Sequence, residues 1–288
     1  VQVWQRYNQL TAAYFEGDYD FVVVHDPQPA GLLEYLSARR QARGNAHWIW
    51  RCHIDLTRAN RAIWEFMRPY LARYNAAIFT MQEYVKPDIP IKEIALIAPA
   101  IDPFSPKNTP LDPATVANTV RRFGVDPNRP LITQVSRFDP WKDPLGVIDV
   151  YRKVKRDVPG LQLAMIASMA NDDPEGWHFF ERTARHAGED PDIFLLTNVS
   201  GVGNLEVNAF QRASSVVLQK SIREGFALTV SEALWKARPV VATSVGGIPL
   251  QVASGQTGYL VNSKAQCAER TLQLIKDHDL ADTFGAAG

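Results

Sequence analysis

Glu224 and Glu232 stand eight residues apart on either side of a helix start, with Gly225 as the turn between them. Glycine lets the backbone come close to a ligand, and the amides of Phe226, Ala227, Leu228 and Thr229 open the helix as first-turn donors. Such donors attract phosphate. The two carboxylates would repel a bare phosphate, but they accept hydrogen bonds from sugar hydroxyls. A ligand carrying both groups, a sugar nucleotide or a sugar phosphate, reconciles the pattern. The competing reading is a pair of surface charges on an ordinary amphipathic helix. Against it, Ile222, Phe226, Leu228, Val230, Ala233 and Leu234 predict a helix largely buried in the fold.

Further polar residues follow apolar runs in the same way. Ser136 ends the run 130–136, Arg137 and Lys142 follow it, and the two cations have the chemistry to neutralise a diphosphate, a planar fork beside a mobile point charge. Gly246 and Gly247 open the loop after another strand. In the first half His25, Asp26, Gln28, His53 and Asp55 occupy equivalent places. His53 also reads as a core histidine held by Asp55, and His25-Asp26 as a turn ahead of Pro27. No spacing of His, Cys and carboxylates supports a metal site. Asp172-Asp173 reads as a cap on the helix after Pro174 rather than a metal–diphosphate device. Gly201-Val202-Gly203 lacks the third glycine of a dinucleotide fingerprint, which excludes a nicotinamide cofactor.

These residues need a scaffold that delivers them to one edge. Helix 1–15, strand 19–25 (a buried parallel strand), helix 30–41, strand 48–52, helix 60–74 and strands 76–80 and 93–98 alternate as a parallel sheet with helices on both faces requires. Residues 99–108, rich in proline, read as a linker. Beyond it come helix 113–123, strand 130–136, a helix to about 157, strand 161–167, helix 177–187, strand 192–196, helix 204–213, strand 215–218, the helix of the two glutamates, strands 239–243 and 258–261, and helix 265–276. The expected architecture is α/β with two Rossmann-like parallel-sheet domains, 1–101 and 102–288, facing across a cleft. Ligands of such sheets bind at the carboxyl ends of strands.

With 288 residues and a formal net charge of zero, the composition gives no support to a nucleic-acid or charge-held membrane partner. No apolar run approaches the ~18–20 residues of a membrane span. Cys52 and Cys267 lie far apart and predict a reduced, cytoplasmic protein. The chain opens inside a helix without Met, so a piece of a longer protein is expected.

The motif Glu224-Gly225-Phe226-x-Leu228-x-x-x-Glu232, with Ser136-Arg137 and Lys142 upstream and Gly246-Gly247-Ile248-Pro249 downstream, resembles the family 4 retaining glycosyltransferases. More narrowly, the strings at 25–29, 50–55, 134–142, 172–177 and 206–213 resemble the trehalose glycosyltransferring synthases. That resemblance implies a GT-B type fold and retaining transfer of glucose from a nucleoside diphosphate glucose (ADP, UDP or GDP) to glucose, forming trehalose reversibly. It implies Glu224 on donor hydroxyls, Glu232 on the ribose, Arg137 and Lys142 on the diphosphate with the amides from Phe226 to Thr229, and His53 beside the anomeric carbon. Ser136 joins the donor side, while His25, Asp26, Gln28 and Asp55 lie on the acceptor side. No metal or other cofactor is implied. The partners are nucleoside diphosphate glucose, glucose and trehalose, with a homodimer as the candidate assembly. The family's glycine-rich loop has no counterpart before Tyr19, so the N-terminal domain is expected to be incomplete, and the family's closing helix is expected beyond Gly288. Ala167-Ser168 stands where the family often has a glycine. Alternatives are a trehalose phosphorylase of the same fold and a non-catalytic sugar or nucleotide sensor.

Overall fold

Strands that are apolar on both faces need helices on both faces, and the chain supplies them in alternation. The computed structural model describes residues 1–38, 46–170 and 173–288. It divides into two units, Val1–Pro99 and Ala100–Gly288. The first unit runs α1 (Gln2–Tyr14), β1 (Phe21–His25), α2 (Leu32–Ala38), β2 (His47–Cys52), α3 (Arg61–Leu71), β3 (Ala76–Phe79) and β4 (Glu93–Leu96). All strands pair in parallel in the order β1-β2-β3-β4. Leu36, Trp50, Leu71 and Phe79 fill its core. The expected helix 30–41 is described from Leu32 to Ala38, and its end lies outside the described residues. One expectation is corrected: β1 is not buried on both faces. Among the described residues it pairs with β2 alone, and Phe21 and Val23 are exposed while Val24 is buried.

The second unit contains α4 (Pro113–Arg122), β5 (Leu131–Val135), α5 (Pro144–Lys155), β6 (Gln162–Ala167), α6 (Pro174–Ala187), β7 (Ile193–Thr197) and α7 (Asn204–Ala213). It continues with β8 (Val216–Gln219), α8 (Leu228–Trp235), β9 (Val240–Thr243), β10 (Gly258–Val261), α9 (Lys264–Lys276) and α10 (His278–Ala287). The sheet order is β10-β9-β8-β5-β6-β7, parallel throughout. Every residue of β5, β6 and β8 is buried. The chain winds outward from β5 to β7, then returns to β8 beside β5 and winds the other way. The neighbours β5 and β8 therefore form the switch point, where α/β sheets hold ligands.

Among the helices, one expected cap is found and one helix is additional. Asp173 caps α6 by accepting from the Gly176 amide at 3.0 Å, while Asp172 lies outside the described residues. The sequence pattern predicts helix 265–276 as the last element, yet α10 follows at once. Asp277 caps it from the Leu280 amide, Phe284 packs edge-on against Tyr259, and a side chain at Gly285 would meet the Ala237 carbonyl at 2.4 Å. A short helix of small residues carries little periodic signal of its own.

Candidate functional site

The loops after β5 and β8 are tied together across the switch point. Gln134, buried in β5, donates from Nε2 to the Lys142 carbonyl (3.0 Å) and the Ser136 hydroxyl (3.2 Å). Its Oε1 accepts from the Lys220 amide at 2.8 Å. The Ile222 amide donates to the Trp141 carbonyl at 2.7 Å. Asp139 caps the turn Pro140–Lys142, accepting from the amides of Trp141 and Lys142. Asp143, in a left-handed conformation (φ 47°), caps α5 and pairs with Lys220.

That framework brings Lys142 to Glu224 as a hydrogen-bonded ion pair. Ser221 Oγ donates to the same carboxylate oxygen at 3.0 Å and Gln219 Nε2 lies 3.4 Å from it. Gln219 Oε1 accepts from the Thr229 hydroxyl at 3.0 Å, which links the glutamate cluster to the first turn of α8.

The helix starts at Leu228 with Ala227 as N-cap at φ 68°. Among the described residues no side chain caps it and no protein acceptor takes the amides of Phe226, Ala227, Leu228 or Thr229. These donors are open for an anion. The preceding turn is held by the Gly247 amide on the Gly225 carbonyl (3.1 Å) and by Gln251 Nε2 on the Phe226 carbonyl. The burial expected here holds for Phe226, Val230, Ala233 and Leu234 but is corrected for two residues. Ile222 (58% exposed) precedes the helix in the loop, and Leu228 (38%) sits on its outer first turn.

Glu232 lies within α8, and its side chain is only 6% exposed. Its Oε1 pairs with Lys107 Nζ at 2.8 Å. Its Oε2 is buried and has no hydrogen-bond partner among the described residues. Lys107, Ser136, Arg137, Ser168, Asn198 and Thr229 are among the residues lining a cleft of about 410 Å³ at the ends of β5, β6 and β7. Arg137 is 70% exposed there, with Asp139 as a loose partner at 3.4 Å. The two cations thus occupy different surroundings: Lys142 sits inside the Glu224 cluster, Arg137 at the open cleft.

In the first unit His25 and His53 stack with ring centroids 5.1 Å apart, and His25 Nδ1 lies 2.8 Å from His53 Nε2. Asp26, at φ 67°, accepts from the His53 amide at 2.8 Å. Burial lowers the His53 pKa; Arg51 and His25 act in the same direction, while Asp26 opposes them. Asp55 accepts from the Thr57 amide at 2.8 Å and from its hydroxyl. Gln28 is exposed, and its carbonyl accepts from Asn8. His25, Asp26 and His53 therefore form one cluster, whereas Gln28 and Asp55 have their own local partners.

Residue types alone missed Gln134, Gln219 and Lys107. A glutamine inside an apolar strand is a readable signal, since a buried amide needs partners. Lys107 carries none: it lies in a proline-rich segment far along the chain from Glu232.

Residues 1–86 match the family model described as Trehalose synthase, N-terminal domain, and residues 117–288 match Glycosyl transferases group 1. The trehalose synthase of Thermococcus litoralis is 52% identical over 267 residues, covering 93% of this chain. This chain spans 63% of that protein's length. The trehalose synthase of Rubrobacter xylanophilus is 50% identical over 289 residues, covering 99% of this chain and 68% of its own. Among solved structures, the sucrose-phosphate synthase of Thermosynechococcus elongatus superposes with a TM-score of 0.77 at 17% identity, covering 99% of this chain and 71% of that one. At that identity the likeness is one of fold, the GT-B type.

Proposed function

We propose, because the chain belongs to the trehalose synthase family of group 1 glycosyl transferases, that the protein transfers glucose from a nucleoside diphosphate glucose to free glucose, with retention of configuration, forming trehalose reversibly. The observation that carries this reading is Glu232, a buried carboxylate with one oxygen that has no hydrogen-bond partner among the described residues. A buried acceptor left open is costly until a ligand donor meets it. A ribose hydroxyl supplies such a donor, and a bare phosphate does not.

In this reading the open amides from Phe226 to Thr229 take the diphosphate, with Arg137 and Lys142 as its cations and Ser136 at the cleft edge. Glu224, in the same hydrogen-bond cluster as Lys142, takes hydroxyls of the transferred glucose. His53 acts beside the anomeric carbon, and His25, Asp26, Gln28 and Asp55 serve the acceptor. As the donor bond breaks, negative charge grows on the leaving phosphate, and fixed cations lower that barrier. A leaving phosphate oxygen accepts the proton of the attacking hydroxyl, so no protein nucleophile and no metal is required. A trehalose phosphorylase would leave the open Glu232 oxygen unused, and a sensor would have no use for a leaving-group clamp.

The test supplies trehalose together with ADP, UDP or GDP, or with inorganic phosphate, and measures released glucose and the glucosyl product. A sugar nucleotide is expected with at least one diphosphate. Product with phosphate alone would move the chain to the phosphorylases, and saturable binding with no product to the sensors. Where turnover is found, the double variant Arg137→Ala/Lys142→Ala should lose at least about 10²–10³-fold in kcat. A near-normal rate would remove the electrostatic account.

A further inference from the structure

We infer that Lys107 is a positioning residue of the nucleotide site, holding one oxygen of Glu232 so that the other stays directed to a ligand hydroxyl. The inference rests on the donor reading above.

The residues around Lys107 are pinned to α7 and α8. Asn208 Nδ2 donates to the carbonyls of Pro106 (3.0 Å) and Thr109 (2.8 Å). The buried Asn108 accepts at its carbonyl from Trp235 Nε1 (3.2 Å) and Arg212 (3.3 Å), and at Oδ1 from Lys236 Nζ (2.8 Å). Its own Nδ2 donates to the Asp102 carbonyl at 2.9 Å. With both neighbours fixed, the Lys107 side chain runs along the cleft wall to Glu232.

A buried carboxylate needs a cation or it protonates. Lys236 is close, but its ammonium donates to Asn108 Oδ1 and to the Glu232 carbonyl at 3.1 Å, a main-chain oxygen. The side-chain oxygen Oε1 is held by Lys107, which restrains the carboxylate, and Oε2 is buried without a hydrogen-bond partner among the described residues. Without Lys107 the carboxylate is free to turn, and Oε2 loses its fixed position. The interaction is the same in ground and transition states, so its loss falls on KM rather than kcat.

The experiment titrates the full chain with ADP, UDP and GDP and with their 2′,3′-dideoxy counterparts, for wild type, Lys107→Met, Lys107→Arg, Glu232→Gln and the Lys107→Met/Glu232→Gln double variant. Lys107→Met should weaken the ribonucleotide about tenfold, a change of the size expected for a charged hydrogen bond. The dideoxy ligand should bind it as it binds wild type. Lys107→Arg should recover most of the loss, and adding Lys107→Met to Glu232→Gln should cost nothing more. Unchanged binding by Lys107→Met, equal weakening of both ligands, or additive losses in the double variant would each overturn the inference. A thermal melt checks that each variant folds; if Lys107→Met does not, Lys107→Gln takes its place. A wild-type chain that binds none of the three ribonucleotides would sink the donor reading itself.

Discussion

Lys236 illustrates how burial, more than residue type, sets what a side chain does in this protein. It is almost fully buried at the C-cap of α8, and desolvation lowers its pKa from 10.5 to about 8, with Glu232 opposing the shift and Arg212 and Lys107 adding to it. The folded form therefore releases this proton more readily than the unfolded chain. Between about pH 8 and 10.5 the unfolded state binds more protons, so this residue's contribution to stability rises with pH across that window. Below pH 8 the folded state carries the full cost of the buried charge. Denaturant unfolding of wild type against Lys236→Met should show the wild-type curve gaining on the variant between pH 8 and 10.5. A constant or falling difference would contradict the assignment. The same physics makes the two cysteines inert: burial raises Cys52 to about 12 and Cys267 to about 11. Neither can act as a nucleophile at neutral pH. Residue type showed the glutamates and cations, but their partners depend on burial and contact that type alone does not contain.

At the scale of elements, the start of α8 depends on two backbone features. Ala227 adopts a left-handed conformation that an L-residue enters at a cost of about 1–2 kcal/mol. Gly247 packs against the preceding turn so closely that a Cβ there would lie 2.8 Å from the Gly225 carbonyl oxygen and 3.0 Å from Phe226 Cα. Gly247→Ala should destabilise the second unit by about 1–3 kcal/mol, because the backbone must yield. Ala227→Gly should be neutral or stabilising by up to about 1 kcal/mol, since glycine adopts positive φ freely. Chemical unfolding of both variants checks the pair, and a tolerated Gly247→Ala would show that the turn has slack. The helices and strands around this turn were legible because their apolar periods are regular. The misplaced details, exposed Ile222 and Leu228 and the unread α10, are those for which periodicity says nothing about which neighbour covers a side chain.

Across the whole molecule, each unit has its own core: Leu36, Trp50 and Phe79 in the first, Ile148, Leu163 and Leu218 in the second. The residues proposed to hold the donor nucleotide all belong to the second unit. Calorimetry should resolve two transitions, and a bound nucleoside diphosphate should raise the one belonging to Ala100–Gly288. Ligand at about 100 times Kd adds roughly 2.7 kcal/mol to the unit that binds it. An upward shift confined to the other transition would place the nucleotide in the first unit.

The sequence by itself determined the α/β class, the succession of strands and helices, the Glu224–Glu232 motif and the presence of Arg137 and Lys142 after a strand. Each is a local property: period, turn chemistry, or residue type at a strand end. Only the tertiary structure decided that β5 and β8 are neighbours, because strand order depends on pairing between segments far apart in the chain. The same long-range pairing puts Gln134 between two loops and Lys142 on Glu224. It also brings Lys107, from a segment read as a linker, to Glu232 on α8. An ion pair across that much chain leaves no periodic trace, since only the folded backbone brings its two ends together.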